Sequence, residues 1–380
     1  MSPASSITNS PSSVTATSPI SSPASAKSSI PLPTTAREGT PSAVPPATPT
    51  RPSTASPATS PAVSASEFLA EKLRNARDAL IARGSYLGVT GVADGYRWER
   101  VGRTNKLVTA AAATAHREAQ IEYAANPDSN PVPEISPAVL SAVVLITEDD
   151  FYMTSCGMWN GPTTAARTFA DVKPTCTGAQ PDHAVFANDF PAVCENITAL
   201  MEKARTPGFK DVKGVKVNTG GSGIKIKFRH VLFERKDSKE DNHITPNALA
   251  NVDREEIPRQ FTMAEWPAFY DQAKEALATM KDTHNVNYLE AYDMHGRLIF
   301  PREYRTVLSG ALAQIHFTLS HWSISGKGRI PSDVFAADVY SIRVLVPPKS
   351  RGGVTPRKRK FQNLDPMTPD ISPKKLRKSP

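Results

Sequence analysis

Basic residues occupy every second position of one short stretch, a spacing that suits phosphate binding. Residues 215–230 read VKVNTGGSGIKIKFRH, and from position 224 apolar and basic residues alternate. This alternation predicts a β-strand with one buried face and one face in water. Residues 201–236 hold 10 basic and 3 acidic side chains, and several phosphate contacts require cations that lie close together. The candidate phosphate contacts are Lys213, Lys216, Lys225, Lys227 and Arg229; the alternative is an ordinary solvated strand face.

A second alternating stretch carries polar and aromatic side chains. Apolar residues at positions 311, 313, 315, 317 and 319 alternate with Gln314, His316, Thr318 and Ser320, and Trp322 continues the polar row. Polar and aromatic side chains interleaved on a strand surface can stack against bases. His316 and Trp322 are therefore the candidate base contacts, although a tryptophan in such a place is more often the edge of a core.

A few carboxylates have the residue types of a metal-dependent nuclease. The residues concerned are Glu148, Asp149, Asp150, Asp182, Glu234 and Lys236. The set resembles the PD-(D/E)xK family, in which two carboxylates would hold Mg²⁺ and a lysine would orient water. The alternative is a solvated strand end, and the sequence favours a protein with no catalytic residues.

Neither a metal nor a cofactor is expected. Cys156, Cys176, His183 and Cys194 lack the two-to-four-residue spacing of zinc sites, so the cysteines are predicted to be buried thiols. The NTGGSG stretch is not a P-loop, because Ile224 stands where the phosphate-binding lysine would be. It is predicted to be the turn of a hairpin.

The C-terminal residues carry most of the net charge of +8. Residues 1–63 hold 3 basic and 1 acidic side chains and residues 347–380 hold 10 and 2, which leaves 32 basic and 34 acidic for residues 64–346. The tail clusters PRKRK and KKLRK resemble a bipartite nuclear localisation signal, which implies importin as a partner; the alternative is a solvated basic tail. The candidate import residues are Arg357, Lys358, Arg359, Lys360, Lys374, Lys375, Arg377 and Lys378.

Composition divides the chain into three parts. Residues 1–63 consist almost entirely of Ser, Pro, Thr and Ala and are predicted to be disordered, as are residues 347–380. A single folded domain is predicted over residues 64–346. No stretch approaches the roughly 20 apolar residues of a membrane helix, and three widely spaced cysteines fit a reducing compartment. No membrane partner is expected.

Periodicity predicts an α+β domain with a mostly antiparallel sheet and three or four helices. Helices are predicted over residues 64–83, 104–125, 191–204 and 262–281, and a small hairpin over 285–300. Strands are predicted over residues 138–147, 212–218, 224–233, 304–324 and 333–346, with the last two paired.

The stretch GALAQIHFTLSHW and the following FAADVYSIRVLV resemble the closing hairpin of OB-fold single-stranded-DNA-binding proteins. The resemblance covers residues 304–346 and implies a small OB-like barrel that grips an extended strand. It implies Gly310 as a bend glycine, and His316 and Trp322 as base contacts. The sequence therefore predicts a non-catalytic nuclear protein that binds single-stranded DNA or RNA; the alternatives are a protein-interaction scaffold and a metal-dependent nuclease.

Overall fold

The computed structural model describes residues 65–127, 131–218, 223–236, 258–326 and 328–349. The predictions for residues 1–63, and all eight candidate import residues, lie outside this part of the chain. The helices found there are α1 (Ala65–Ala82), α2 (Ala110–Ala125), α3 (Ala184–Ala187), α4 (Phe190–Glu202), α5 (Asp271–Met280) and α6 (Tyr304–Leu308). None of them is long and apolar enough to cross a membrane.

The fold is α+β, with a mixed but mostly antiparallel main sheet and a separate pair, β8 and β9. The strands of the described residues are β1 (Tyr96–Val101), β2 (Thr104–Thr109), β3 (Leu140–Ile146), β4 (Thr175–Ala179), β5 (Asp211–Lys213), β6 (Lys216–Asn218), β7 (Ile224–Arg229), β8 (Phe233–Arg235), β9 (His284–Val286), β10 (Glu290–Tyr292), β11 (Leu312–Ile324) and β12 (Ser332–Val346). The predicted pairing of the last two strands is confirmed.

β11 and β12 pair antiparallel along their whole length, from Leu312 opposite Val346 to Ile324 opposite Ser332. The free edge of β11 takes β3 at one end and β2 at the other, both antiparallel. The free edge of β12 takes β5, β7 and β10 in succession, all parallel. Two long strands therefore carry most of the sheet between them.

Five strands close into a ring. β3 pairs with β4, β4 with β7, β7 with β12, β12 with β11, and β11 again with β3. The interior is filled by alternate side chains of these strands, among them Val144, Ile226, Phe228, Ile315 and Phe317, all fully buried. The β3–β4 and β7–β12 pairings involve only two residue pairs each, so the ring is loosely joined at two places.

α4 packs against the same core, and one of its polar residues holds a neighbouring loop. Val193, Ile197 and Leu200 of α4 join the apolar cluster that fills the ring. Asn196, also buried, accepts from the Ala93 amide and donates to the carbonyls of residues 87 and 89 at 2.8 Å. These three bonds satisfy backbone groups that would otherwise be buried without partners.

α1 covers the outside of the sheet. Leu73 and Leu80 pack on Val143 and Leu312 in a second apolar cluster. Arg77 forms a bidentate ion pair with Asp189, with nitrogen to oxygen distances of 2.7 and 2.9 Å. Bidentate pairs of this kind fix orientation as well as adding free energy, so the ion pair sets the position of α1 on the sheet.

Three predicted elements are wrong at their first residues. Residues 104–109 form β2 rather than helix, because they pair with β1 and with β11, and α2 begins only after the Thr109 hydroxyl caps it. Of the helix predicted over 262–281, only α5 is helical. Residues before α5 are held by two tertiary hydrogen bonds: the Trp266 indole donates to the Ser155 carbonyl, and the Ser155 hydroxyl donates to the Pro267 carbonyl. Residues 304–308 form α6, which a turn at Gly310 (φ 85°) separates from β11.

The hairpin predictions are confirmed in part. β6 and β7 pair antiparallel around the Gly-rich stretch, but the strand ends at Arg229, and residues 233–235 pair with β9 instead. In the stretch predicted as a hairpin over 285–300, β10 joins β12. The turn is closed by the bridge between Tyr292 and Leu298 and by backbone hydrogen bonds from Asp293 to Arg297 and from Ile299 to Ala291.

Gly214 is the glycine on which the sheet geometry depends most directly. Its φ of 114° disfavours any other residue, and an added Cβ would overlap the carbonyl oxygen of Phe335 on β12. We expect Gly214→Ala to lower the free energy of unfolding by about 3 kcal/mol. Gly84→Ala, at φ 72° but with open space around it, is the matched control and should cost about 1 kcal/mol. Equal losses in urea denaturation would contradict the close approach of these strands.

Candidate nucleic-acid interface

Four of the five predicted phosphate contacts already have side-chain partners, and the five do not share one face. Lys216 lies opposite the inward-facing Ile226 and lines a pocket with Ile224. Lys225, Lys227 and Arg229 alternate with the apolar residues of β7 and lie on its other face. Lys213 pairs with Asp211 (2.6 Å), and the Lys216 ammonium donates to the Thr198 hydroxyl (2.8 Å). Lys225 pairs with Asp150 (3.4 Å), and its side chain is only 11% exposed. Ile224, predicted on the apolar face, is 38% exposed. The alternation identified the strand but not the groups that neutralise its cations.

The fourth partnered cation is Arg229. Its guanidinium forms a bidentate ion pair with Asp338 of β12, at 2.6 and 3.1 Å. The same guanidinium lies over the Trp322 ring, 5.0 Å from the ring centroid. The structure therefore brings together Arg229 and Trp322, two of the predicted site residues, through a cation–π contact.

Lys227 lies between Lys225 and Arg229 on β7. It is exposed, because Ile226 and Phe228 turn inward and leave it on the outer face. No side-chain partner for it is found in the described part of the chain. Lys227 is thus the predicted phosphate contact that remains available to an external anion.

Two further lysines lie close to Arg229. The Lys106 ammonium of β2 donates to the Ser320 hydroxyl (3.2 Å), which in turn donates to Asp338 (3.4 Å). Desolvation of the ammonium group, together with the positive charges of Arg229 and Lys106, lowers the pKa of Lys173 in spite of Asp338 and Asp171, although the side chain as a whole is exposed. We define the Arg229 cluster as Lys106, Lys173, Arg229, Ser320, Trp322 and Asp338. Three cations and one carboxylate give it a net charge of +2 when Lys173 is protonated, and Asp171 beside Lys173 offsets one of these charges.

Sequence reasoning missed Lys106 and Lys173. Lys106 lies in the stretch predicted as helix, although its neighbours Leu107 and Val108 are buried residues of β2. Lys173 lies just before β4, in a region without clear periodicity. Only the pairing of β2 with β11 at Ser320 brings Lys106 to the cluster, and no local signal in the sequence specifies that contact.

His316 lies on the same row of β11 as Trp322 but beneath α1. Gln314 bonds to its Nε2 at 2.5 Å, and burial together with the charge of Arg83 lowers the pKa of His316 to about 4. The neutral imidazole is therefore the form present near neutral pH. His316 lines a pocket with Arg83 and Arg343 and is not part of the Arg229 cluster.

The nuclease residues are not assembled into a metal site. Asp182 pairs with Lys349 at 2.5 Å, and Glu234 lies on β8, outside the main sheet. In the described ranges no group of three or more His, Cys, Asp or Glu side chains is placed to hold a metal ion. Cys156, Cys176 and Cys194 are free and buried, which confirms the prediction of buried thiols.

One buried histidine and carboxylate resemble part of a catalytic triad without its geometry. His321 Nε2 lies 2.8 Å from Asp333, and Asn105 bonds to its Nδ1 at 3.0 Å. The hydroxyls of Thr206 and Ser323 donate to Asp333 rather than to the imidazole. A hydroxyl activated as a nucleophile would have to donate to the imidazole, so this network holds the start of β12 in place.

No protein family, no curated protein and no solved structure matches this chain. The geometry of the Arg229 cluster and the adjacent Lys227 carries the functional argument. These residues offer cations, a hydroxyl and an aromatic ring on one outer face of the ring.

The pKa of His316 predicts how stability depends on pH. The unfolded chain takes up a proton near the ordinary value of 6.5, whereas the folded chain does so only near 4, so stability falls as the pH falls through this window. His316→Gln should make that decline shallower in urea denaturation at several pH values. Part of the decline should remain in this variant, because burial also lowers the pKa of His230. His295→Gln, at an exposed turn, is the control; an unchanged decline in His316→Gln would contradict the assignment.

Proposed function

We propose that this protein binds single-stranded DNA or RNA without cleaving it, through the outer face of the ring at the Arg229 cluster and Lys227. The observation that carries the proposal is the grouping of three cations near Asp338: Arg229 pairs with it, Lys106 reaches it through the Ser320 hydroxyl, and Lys173 lies close to it and to Asp171. Mutual repulsion among the cations is relieved when an anion binds between them. A phosphate group supplies that charge.

We further propose that the ring is an OB-type barrel. Numbered by chain order, its strands run 1-2-3-5-4 and return to 1, with the 3–5 pair, β7 and β12, parallel. This order, with five strands loosely joined at two places, supports a partly open Greek-key barrel of the OB type. In such barrels the second and third strands and the loops beside them contact oligonucleotides. Here those strands are β4 and β7, and β7 carries Lys227 and Arg229.

A single strand suits this face better than a duplex. Phosphates would contact Lys173 and Lys227, which are exposed, while Arg229 stays paired with Asp338. The half-buried Trp322 lies beside them and offers ring surface to an unpaired base. Bases in a duplex are stacked on one another and cannot reach such a ring, whereas those of a single strand can.

Neutralising the two exposed lysines tests the proposal. Lys173→Gln/Lys227→Gln in the full chain should weaken binding to a labelled single-stranded oligonucleotide. Each phosphate that a protein neutralises on a single strand adds about 0.7 to the steepness of log affinity against log salt. We therefore expect the slope to become shallower by about 1.4, as measured by fluorescence anisotropy at several salt concentrations.

The control for this experiment removes the same charge elsewhere. Lys274→Gln/Lys281→Gln, at exposed positions of α5 and its C-terminus, should keep the wild-type slope. Equal effects of the two double variants would mean that only net charge matters and would reject the interface. Shortening of the oligonucleotide in Mg²⁺ would favour the nuclease alternative, and absence of any binding would favour a protein partner.

We also propose that the basic tail binds importin and directs the protein to the nucleus. The support is the spacing of PRKRK and KKLRK in the sequence. A variant with Gln at Arg359, Lys360, Lys374 and Lys375 should bind purified importin-α about tenfold or more weakly. The reason is that neutral glutamines cannot form charge-assisted hydrogen bonds with the acidic grooves of importin. A control with Gln at Arg74, Arg259, Lys274 and Lys281 removes the same charge from the folded part. Equal weakening in both would contradict a specific signal.

A further inference from the structure

A pocket of about 400 Å³ lies between α1 and the sheet, away from the Arg229 cluster. Its volume is in the range of small-molecule sites. Its floor consists of two cross-strand pairs of β11 and β12, Gln314 opposite Arg343 and His316 opposite Ser341. Tyr292, at the end of β10, forms part of the side wall. The pocket thus has a polar floor built on the longest strand pair of the sheet.

The charged side chains that line this pocket are basic, and a carboxylate on the same face of the sheet, that of the buried Glu290, lies opposite Ser341. Lys72, Arg83 and Arg343 line it, and no carboxylate does so among the residues that the structure describes. In the same part of the chain none of the three cations is paired with a carboxylate. The Lys72 ammonium donates to the Met294 carbonyl at 3.4 Å. Three cations and no carboxylate in the described lining of one concave site favour an anionic ligand.

The other walls suit a planar ring with polar edges. The wall on the α1 side is apolar, with Leu73, Ala76 and Leu80. On the floor, one amide N–H of Gln314 bonds to the Nε2 of His316, which leaves the second N–H and the carbonyl oxygen for a ligand. A Gln side chain with one donor and one acceptor matches the edge of an adenine base.

We infer that this pocket binds a nucleoside monophosphate, with the base between the α1 wall and the polar floor and the phosphate at Arg83 and Arg343. The inference does not depend on the Arg229 cluster, because no residue is shared between the two sites. The nucleotide has two chemically equivalent sources, a free nucleotide or the phosphorylated end of a nucleic-acid strand. Both present the same base, sugar and phosphate to the pocket.

The test is calorimetric titration of the full chain with adenosine monophosphate, adenosine and inorganic phosphate. Adenosine monophosphate should bind at least about tenfold more tightly than either part, because both the ring and the phosphate have contacts. Arg83→Gln/Arg343→Gln should weaken its binding by about tenfold or more through loss of charge-assisted hydrogen bonds. Both side chains are exposed, so the double variant is expected to fold.

The control and the competition experiment separate the outcomes. Arg74→Gln/Arg259→Gln removes equal charge outside the pocket and should leave nucleotide binding unchanged, as should Lys173→Gln/Lys227→Gln. If adenosine monophosphate displaces a 5′-phosphorylated oligonucleotide but not its 5′-hydroxyl form, the pocket holds a strand end; if it displaces neither, the ligand is free nucleotide. Binding weaker than about 1 mM, or equal binding by the double variant and its control, would overturn the inference.

Discussion

The antiparallel pairing of β11 and β12 is the interaction on which the rest of the molecule depends. Each strand has a second edge of unpaired amide and carbonyl groups, and a buried edge must find partners. β3 and β2 satisfy the edge of β11, and β5, β7 and β10 satisfy that of β12. Because both strands are long, segments distant in sequence meet on them. Lys106, Arg229 and Asp338 come together only through this pair.

The strand β7 can be recognised in the sequence, but the partners of its basic side chains cannot. Alternation along β7 identifies which residues turn inward, and Ile226 and Phe228 are fully buried as such a pattern requires. It contains no information about the carboxylates that approach the outer face. Asp150 and Asp338 come from other strands and loops and neutralise Lys225 and Arg229. Lys227 remains available because its neighbour across the β4–β7 pair is the uncharged Thr177.

Local patterns were reliable where burial is decided within one element. α1, α4, β3 and the β11–β12 pair follow their periodicity closely. Local patterns failed where tertiary contacts overrode local preference. Residues 104–109 precede an alanine-rich helical stretch but pair with β1 and β11. Residues 262–270 are held by hydrogen bonds of Trp266 and Ser155 rather than by helical hydrogen bonds. Lys173 and Arg83 could not be assigned from sequence, because each depends on a neighbour brought by the fold.

A nearly neutral folded part can still carry strongly charged sites, because charge acts over short distances. At physiological salt, exposed charges are screened beyond about 8 Å, so an anion near Lys173 is affected by the Arg229 cluster and little by the rest of the surface. The row of β11 that includes His316 and Trp322 passes from the pocket beneath α1 to the Arg229 cluster. β11 itself has no lysine or arginine, and cations of neighbouring elements lie near both parts of this row. Positive potential is thereby confined to two places without a basic surface overall.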